Sequence, residues 1–147
     1  MDFNLSERSE QWREKLQAFF DREVLPRHRN WLDHVAGSRA TAPFMADLQH
    51  KARTAGLWNL GLPELGDDEP GTRLSNLEYA PLAEIMGRLF WAPEVFNCQA
   101  PDVPNMIALQ NCATPEQKQR WLRPLLEAGL VEKIGSKKIG RYALRQP

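Results

Sequence analysis

Two cysteines, three histidines and a cluster of carboxylates are the residues of this chain whose types could do chemistry. A thiol becomes a nucleophile when a neighbouring cation or a helix start lowers its pKa. Cys98 has no His or Lys close to it in sequence, so it reads as a small apolar filler. Cys112 sits just before a helix cap at Thr114, but a filler role is again the stronger reading. No pair among His28, His34 and His50 has the i, i+4 spacing that puts two imidazoles on one helical face. With the cysteines distant as well, no metal site is expected. Glu64, Asp67, Asp68 and Glu69 surround Gly66 and Pro70, yet the alternating ligands and closing glutamate of a calcium loop are missing. These carboxylates read as a solvated loop, and Gly61 with Gly66 makes no phosphate cradle. The tryptophans (12, 31, 58, 91 and 121) could stack on nucleobases, but basic residues do not interleave with them, so they read as core.

Bulk properties exclude several classes of function. Nineteen basic and nineteen acidic side chains cancel, which leaves the body without an electrostatic footprint for nucleic acid or an anionic membrane. No apolar run approaches a membrane span, and the start Met1-Asp2-Phe3-Asn4-Leu5 lacks the basic-then-apolar order of a secretory leader. Two thiols cannot build a disulfide framework, so a reducing cytoplasm is expected, or a mitochondrion or peroxisome if the source is eukaryotic.

The elements that must position these residues are helical. Ser6 caps a stripe of Trp12, Leu16, Phe19, Phe20 and Val24 that runs to Pro26. A short helix over His28 to Val35 is expected to turn Trp31 and Leu32 inward. Pro43 opens a helix with Phe44, Leu48, Ala52 and Ala55 on its buried face, and Gly56 closes it. Loop follows through Gly61, Pro63, Gly66, Pro70 and Gly71. Ser75-Asn76-Leu77-Glu78 is a capping box, ahead of Leu77, Leu82, Ile85, Met86 and Leu89 at helical spacing, with Pro81 as a kink. Met106 to Leu109 reads as a helix or helical turn. Thr114-Pro115-Glu116-Gln117 caps a last helix that buries Trp121, Leu122, Leu125 and Leu126, with a bend or early stop at Pro124. No alternating β-branched run precedes Leu130. The fold class is all-α, an irregular bundle of five to six helices about one core.

Several segments in this order and spacing resemble a known family. They are Gly56-Leu57-Trp58-Asn59-Leu60-Gly61-Leu62-Pro63-Glu64, then Leu77 to Arg88, then Ala92-Pro93-Glu94-Val95-Phe96-Asn97-Cys98 with Ala100-Pro101-Asp102, and last Thr114 to Leu126. Together they resemble the N-terminal helical domain of acyl-CoA dehydrogenases over about residues 1–129. That resemblance implies removal of an α proton from an acyl-CoA thioester by a glutamate, and hydride transfer from the β carbon to FAD. It implies a flavin held between a β-barrel and a C-terminal helical domain. It also implies that Phe96, Asn97, Cys98 and Asp102 help wall the acyl cavity. A Met-Thr-Glu-Pro type motif, expected soon after Glu127, does not occur, so no glutamate here takes the catalytic role and no FAD is expected on this chain alone.

Residues 130–147 differ in kind. Lys133, Lys137, Lys138, Arg141 and Arg145 face only Glu132, and three readings stay open. The tail is a solvated, disordered end, a contact for nucleic acid or acidic lipid, or residues out of the family's frame. The expectation is a truncated N-terminal domain without activity of its own, exposing an apolar face that favours self-association. The alternative is a stand-alone helical module that docks on a full-length dehydrogenase or another partner.

Overall fold

The computed structural model describes residues 4–38, 40–128, 131–135 and 140–144. Its body is the expected irregular helical bundle. Helix α1 (Glu7–Phe19) begins at Ser6, whose side chain accepts the Ser9 N–H. The chain then stays helical through a π turn (Phe20–Val24) and a 3₁₀ turn (Leu25–Arg27) into α2 (His28–Gly37). Helix α3 (Met45–Thr54) ends at Gly56, whose φ of 68° is the left-handed conformation a C-terminal cap requires. After a long loop come α4 (Asn76–Gly87), the short α5 (Ala92–Val95) and α6 (Asp102–Cys112). Helix α7 (Pro115–Gln117) continues through a π turn (Lys118–Leu122) into α8 (Arg123–Ala128). Both expected capping boxes form, Ser75 with Glu78 and Thr114 with Gln117.

Pro26 and Pro124 do not stop their helices, contrary to the sequence reading. Each is preceded by a π turn that ends one residue earlier: the Leu25 N–H reaches back to the Phe20 carbonyl, and the Arg123 N–H to the Lys118 carbonyl. A proline inside an α-helix removes one hydrogen bond and drives its ring into the carbonyl four residues back. The wider π turn moves that carbonyl aside, so the chain continues. Pro81 likewise lies inside α4 without ending it.

Burial follows most of the expected stripes. Leu16, Phe19, Phe20 and Val24 pack with Met45, Leu48, Ala52, Leu82, Met86, Val95 and Phe96 in one core. A smaller cluster joins Leu62, Leu65 and Met106 to Leu122, Leu125 and Leu126. Four assignments are corrected. Leu32 is exposed on α2, Leu77 is 84% exposed, Ile107 faces outward on α6 and Trp121 is exposed. Leu77 is the second residue of its helix, where the first turn projects past the neighbouring α1. Trp121 lies within the π turn, which rotates it off the stripe that Leu122 and Leu125 keep.

The tail also departs from the expectation of disorder. Residues Val131–Gly135 (β1) and Gly140–Leu144 (β2) pair antiparallel, with Val131 opposite Leu144 and Gly135 opposite Gly140. Ile134 and Ile139 fit no single period because a strand ends between them in sequence, at Gly135. The basic residues Lys137, Lys138 and Arg145 lie outside the described residues.

Candidate functional site

The loop between α5 and α6 carries all four sequence-predicted wall residues, and the structure separates them into different environments. Phe96 is fully buried and meets the edge of Phe19 with ring centroids 5.7 Å apart. Asp102 is buried in the first turn of α6 and accepts a 2.8 Å bond from the Gln99 amide. Asn97 is buried in a polar node described below. Only Cys98 reaches a cleft.

That cleft, of about 390 Å³, is lined by Trp31, Phe90, Trp91, Pro93, Glu94, Cys98, Gln99 and Ala100. Its size is that of a small-molecule pocket, and its walls are mostly apolar with a few polar atoms. Phe90 is 92% exposed at its edge. Trp31 and Trp91 stack at 6.2 Å and 15°, His28 stacks on Trp31 at 6.4 Å, and Phe44 meets Trp91 edge-on. The buried indole N–H of Trp91 donates to His28 Nδ1 at 3.3 Å. Gln99 spends its amide N–H on Asp102, leaving its buried Oε1 without a hydrogen-bond partner among the described residues. The cleft residues beyond Cys98 carried no motif in the sequence. The spacing of Trp91 just ahead of Pro93 was the one available signal, since proline opens the short α5 and turns the preceding aromatic inward.

Behind the cleft the node is built on two residues with φ of 54°, Asn59 and Asn97. Asn tolerates this left-handed conformation better than other side chains with a Cβ. Asn97 Nδ2 donates to Asn59 Oδ1 at 2.7 Å and to the Leu125 carbonyl at 3.1 Å, and lies 3.7 Å from the Met106 sulfur. Asn59 Nδ2 donates to the carbonyls of Pro70 (2.6 Å) and Leu126 (2.9 Å). The Trp58 indole also donates to Leu126, and Arg53 to Ala128. The last carbonyls of a helix have no partner inside it, and side chains from two loops supply those partners for α8. Both asparagines follow an aromatic residue, Trp58-Asn59 and Phe96-Asn97, which places a core anchor beside each cap.

Cys98 is an inert thiol in this setting. Burial pushes it from an ordinary 9.0 up to about 11, against smaller opposing effects from the backbone at Gly61 and Leu60 and from the Tyr79 hydroxyl. Its S–H donates to the Phe96 carbonyl at 3.3 Å. Tyr79, itself pushed upward by burial, closes over Gly61, where an added Cβ would come within 3.1 Å of the ring. Cys112 is exposed. A thiol reagent at pH 7.5 is therefore expected to label Cys112 rapidly and Cys98 only after unfolding, as peptide mapping of the labelled chain would read. The raised Cys98 value also carries a sign for stability. The native chain keeps this proton longer than the unfolded chain does, so the contribution is complete below pH 9 and is lost as pH climbs through about 11. Denaturant midpoints across that range should fall further in the wild type than in Cys98→Ser.

The sequence expectation of no metal site concerned His28, His34 and His50; among the described residues no group of three or more His, Cys, Asp or Glu could hold an ion. No helix among them is long and apolar enough to cross a membrane.

Comparison with known proteins places this geometry. Residues 6–128 match the family model described as the acyl-CoA dehydrogenase N-terminal domain. The chain is 45% identical over 118 residues to mouse acyl-CoA dehydrogenase family member 10, covering 78% of this chain and 11% of that protein. It is 40% identical over 132 residues to the acyl-CoA dehydrogenase homologue FadE2 of Mycobacterium tuberculosis, covering 86% of this chain and 31% of the relative. A solved structure from Mycobacterium abscessus, assigned as an acyl-CoA dehydrogenase, superposes with a TM-score of 0.79 at 44% identity, over 88% of this chain and 34% of that one. The chain thus spans no more than about a third of the length of these relatives. With a family model matched from the first helix cap to the end of α8, and a helical body that superposes on a solved relative, the chain belongs to the acyl-CoA dehydrogenase family through its N-terminal domain.

Proposed function

We propose that this chain forms the helical wall of an acyl-CoA pocket, binding and orienting the acyl group in a reaction whose chemistry is carried by other parts of the family's fold. The observation that supports this reading is the aromatic cleft beside the α5–α6 loop, where Trp31, Phe90, Trp91 and Cys98 offer a dry wall to an acyl chain. Phe96, Asn97 and Asp102 act behind that wall and hold the loop in place. FAD, the cofactor that the family resemblance implies, would supply hydride acceptance. The cleft does not suit it: a dinucleotide pyrophosphate needs cationic or backbone N–H donors at a glycine-rich turn, and this lining has no lysine, arginine or glycine. No step is assigned to the flavin here, and Glu94 at the cleft is given no role as a base.

The test is direct binding by the 147-residue chain. Acyl-CoA thioesters of increasing chain length should change tryptophan fluorescence saturably, with affinity rising with chain length, while CoA alone should not. Phe90→Ala, which removes an exposed edge of the cleft, should weaken binding several-fold. Equal responses to acyl-CoA and to free CoA would overturn the reading.

A second reading has its own observation. Leu77 and Phe90 are 84% and 92% exposed, far more than apolar side chains of their size usually are. They suit a module that packs on a further domain, a second polypeptide or a second copy of itself. Concentration-dependent sedimentation that Leu77→Lys abolishes would favour this reading.

A further inference from the structure

His28 ties the cleft wall to the protonation state of a single imidazole. An indole nitrogen can only donate a hydrogen bond. The 3.3 Å contact between Trp91 Nε1 and His28 Nδ1 therefore requires that Nδ1 carry no proton, which makes the native imidazole neutral with its hydrogen on Nε2. Adding the second proton turns Nδ1 into a donor that faces another donor. The Trp91 indole is 4% exposed, so its N–H would then be left buried without its acceptor. At the same time the imidazolium is drawn to the face of Trp31, on which it already stacks at 15°. The two effects act in one direction, toward Trp31 and away from Trp91.

The charged surroundings do not fix the imidazole in either state. On its own element Arg27 lies 5.9 Å from the Phe44 ring, and Arg29 is paired with Asp33 at 3.2 Å. From the elements packed against it come the neutral rings of Phe44 and Trp91, with Glu94 of α5 in the lining of the same cleft.

We propose that His28 is a proton-sensitive latch on Trp91: neutral, it holds the indole in the cleft wall, and protonated, it releases the indole and loosens the Trp31–Trp91 stack. The latch needs no ligand, so it stands or falls separately from acyl binding. The test follows the Trp91 indole N–H resonance in a ¹⁵N–¹H spectrum of the full chain, assigned with Trp91→Phe, as pH falls from about 8 to about 5, the range in which imidazoles change charge. The expected result is a one-proton shift of that resonance. His28→Gln, whose side-chain carbonyl can still accept the indole hydrogen, should hold it at the high-pH position throughout. His28→Leu should place it at the released position at every pH. An invariant wild-type resonance, or a full shift retained in His28→Gln, overturns the proposal. If His28→Leu does not fold, the comparison of wild type with His28→Gln decides the matter alone.

Discussion

Asn97→Asp is expected to cost about 4 kcal/mol of stability at neutral pH, within the range for leaving a buried charge uncompensated. The change alters almost no volume. It replaces an amide N–H₂ that donates to Asn59 Oδ1 and the Leu125 carbonyl with an oxygen that can only accept. Three oxygens then face one another in a site that is 1% exposed. Asn59 cannot relieve them by flipping, because its own Nδ2 is committed to Pro70 and Leu126. Desolvation raises the folded-state pKa of the introduced carboxyl. The sign follows: the native state binds the proton more tightly than the unfolded state, so the loss is largest at neutral pH. It shrinks as pH falls toward the unfolded-state value of about 4. Urea titrations of wild type and variant at pH 7 and pH 4.5 would read this directly. A deficit that does not shrink at the lower pH would show that the amide's donors are not what the site uses. Asn97→Gly supplies a control. It keeps the left-handed φ at no steric cost but drops the bonds, and should cost less, about 2 kcal/mol.

Phe96→Ala should cost about 4 kcal/mol, the central value for deleting a buried phenyl ring. The ring is fully buried among Phe19 and the residues of the larger core. Phe90→Ala, only six positions away, should change stability by less than about 0.5 kcal/mol because Phe90 is 92% exposed. The pair separates two roles that sequence proximity merges. Phe96 belongs to the core that carries the cleft, whereas Phe90 belongs to the cleft itself. Chemical denaturation gives the first quantity, and the acyl-CoA titration gives the second. A small stability loss for Phe96→Ala, together with impaired binding, would move Phe96 back into the wall where the family resemblance expects it.

What was readable in the sequence divides along physical lines. Caps were legible because each rests on a local interaction over three residues. Ser6, Ser75 with Glu78, and Thr114 with Gln117 all act at the helix starts where they were expected. The buried faces were legible wherever a single helical period holds, as for Leu16, Phe19 and Phe20 or for Leu48 and Ala52. They failed at Trp121, because a π turn breaks the period, and at Leu77, because a first-turn residue can project past its neighbour. The site was legible only as a loop. The ordered segments pointed to 96–102, but nothing local told Cys98, which lines the cleft, from Phe96, which does not. That distinction depends on Trp31 and Phe19, distant in sequence from the loop. The Asn59–Asn97 node was illegible for the same reason, since its acceptors lie on α8 and on the loop at Pro70.

The π turn at Phe20–Val24 gives chain length a meaning that residue identity lacks. Such a turn holds one residue more than the α-helix around it would, and each α-helical residue advances the helix by about 100°. Removing any one residue from this stretch would leave every side chain of α1 in place. It would swing His28–Gly37 about a third of the way around its axis, carrying Trp31 off Trp91 and His28 off the indole it accepts from. The cleft wall is thus set by a count of residues more than ten positions upstream of Trp31 at its first member, as a gear is set by its number of teeth. A substitution there tests a contact, whereas a deletion there tests the phase of the whole second helix.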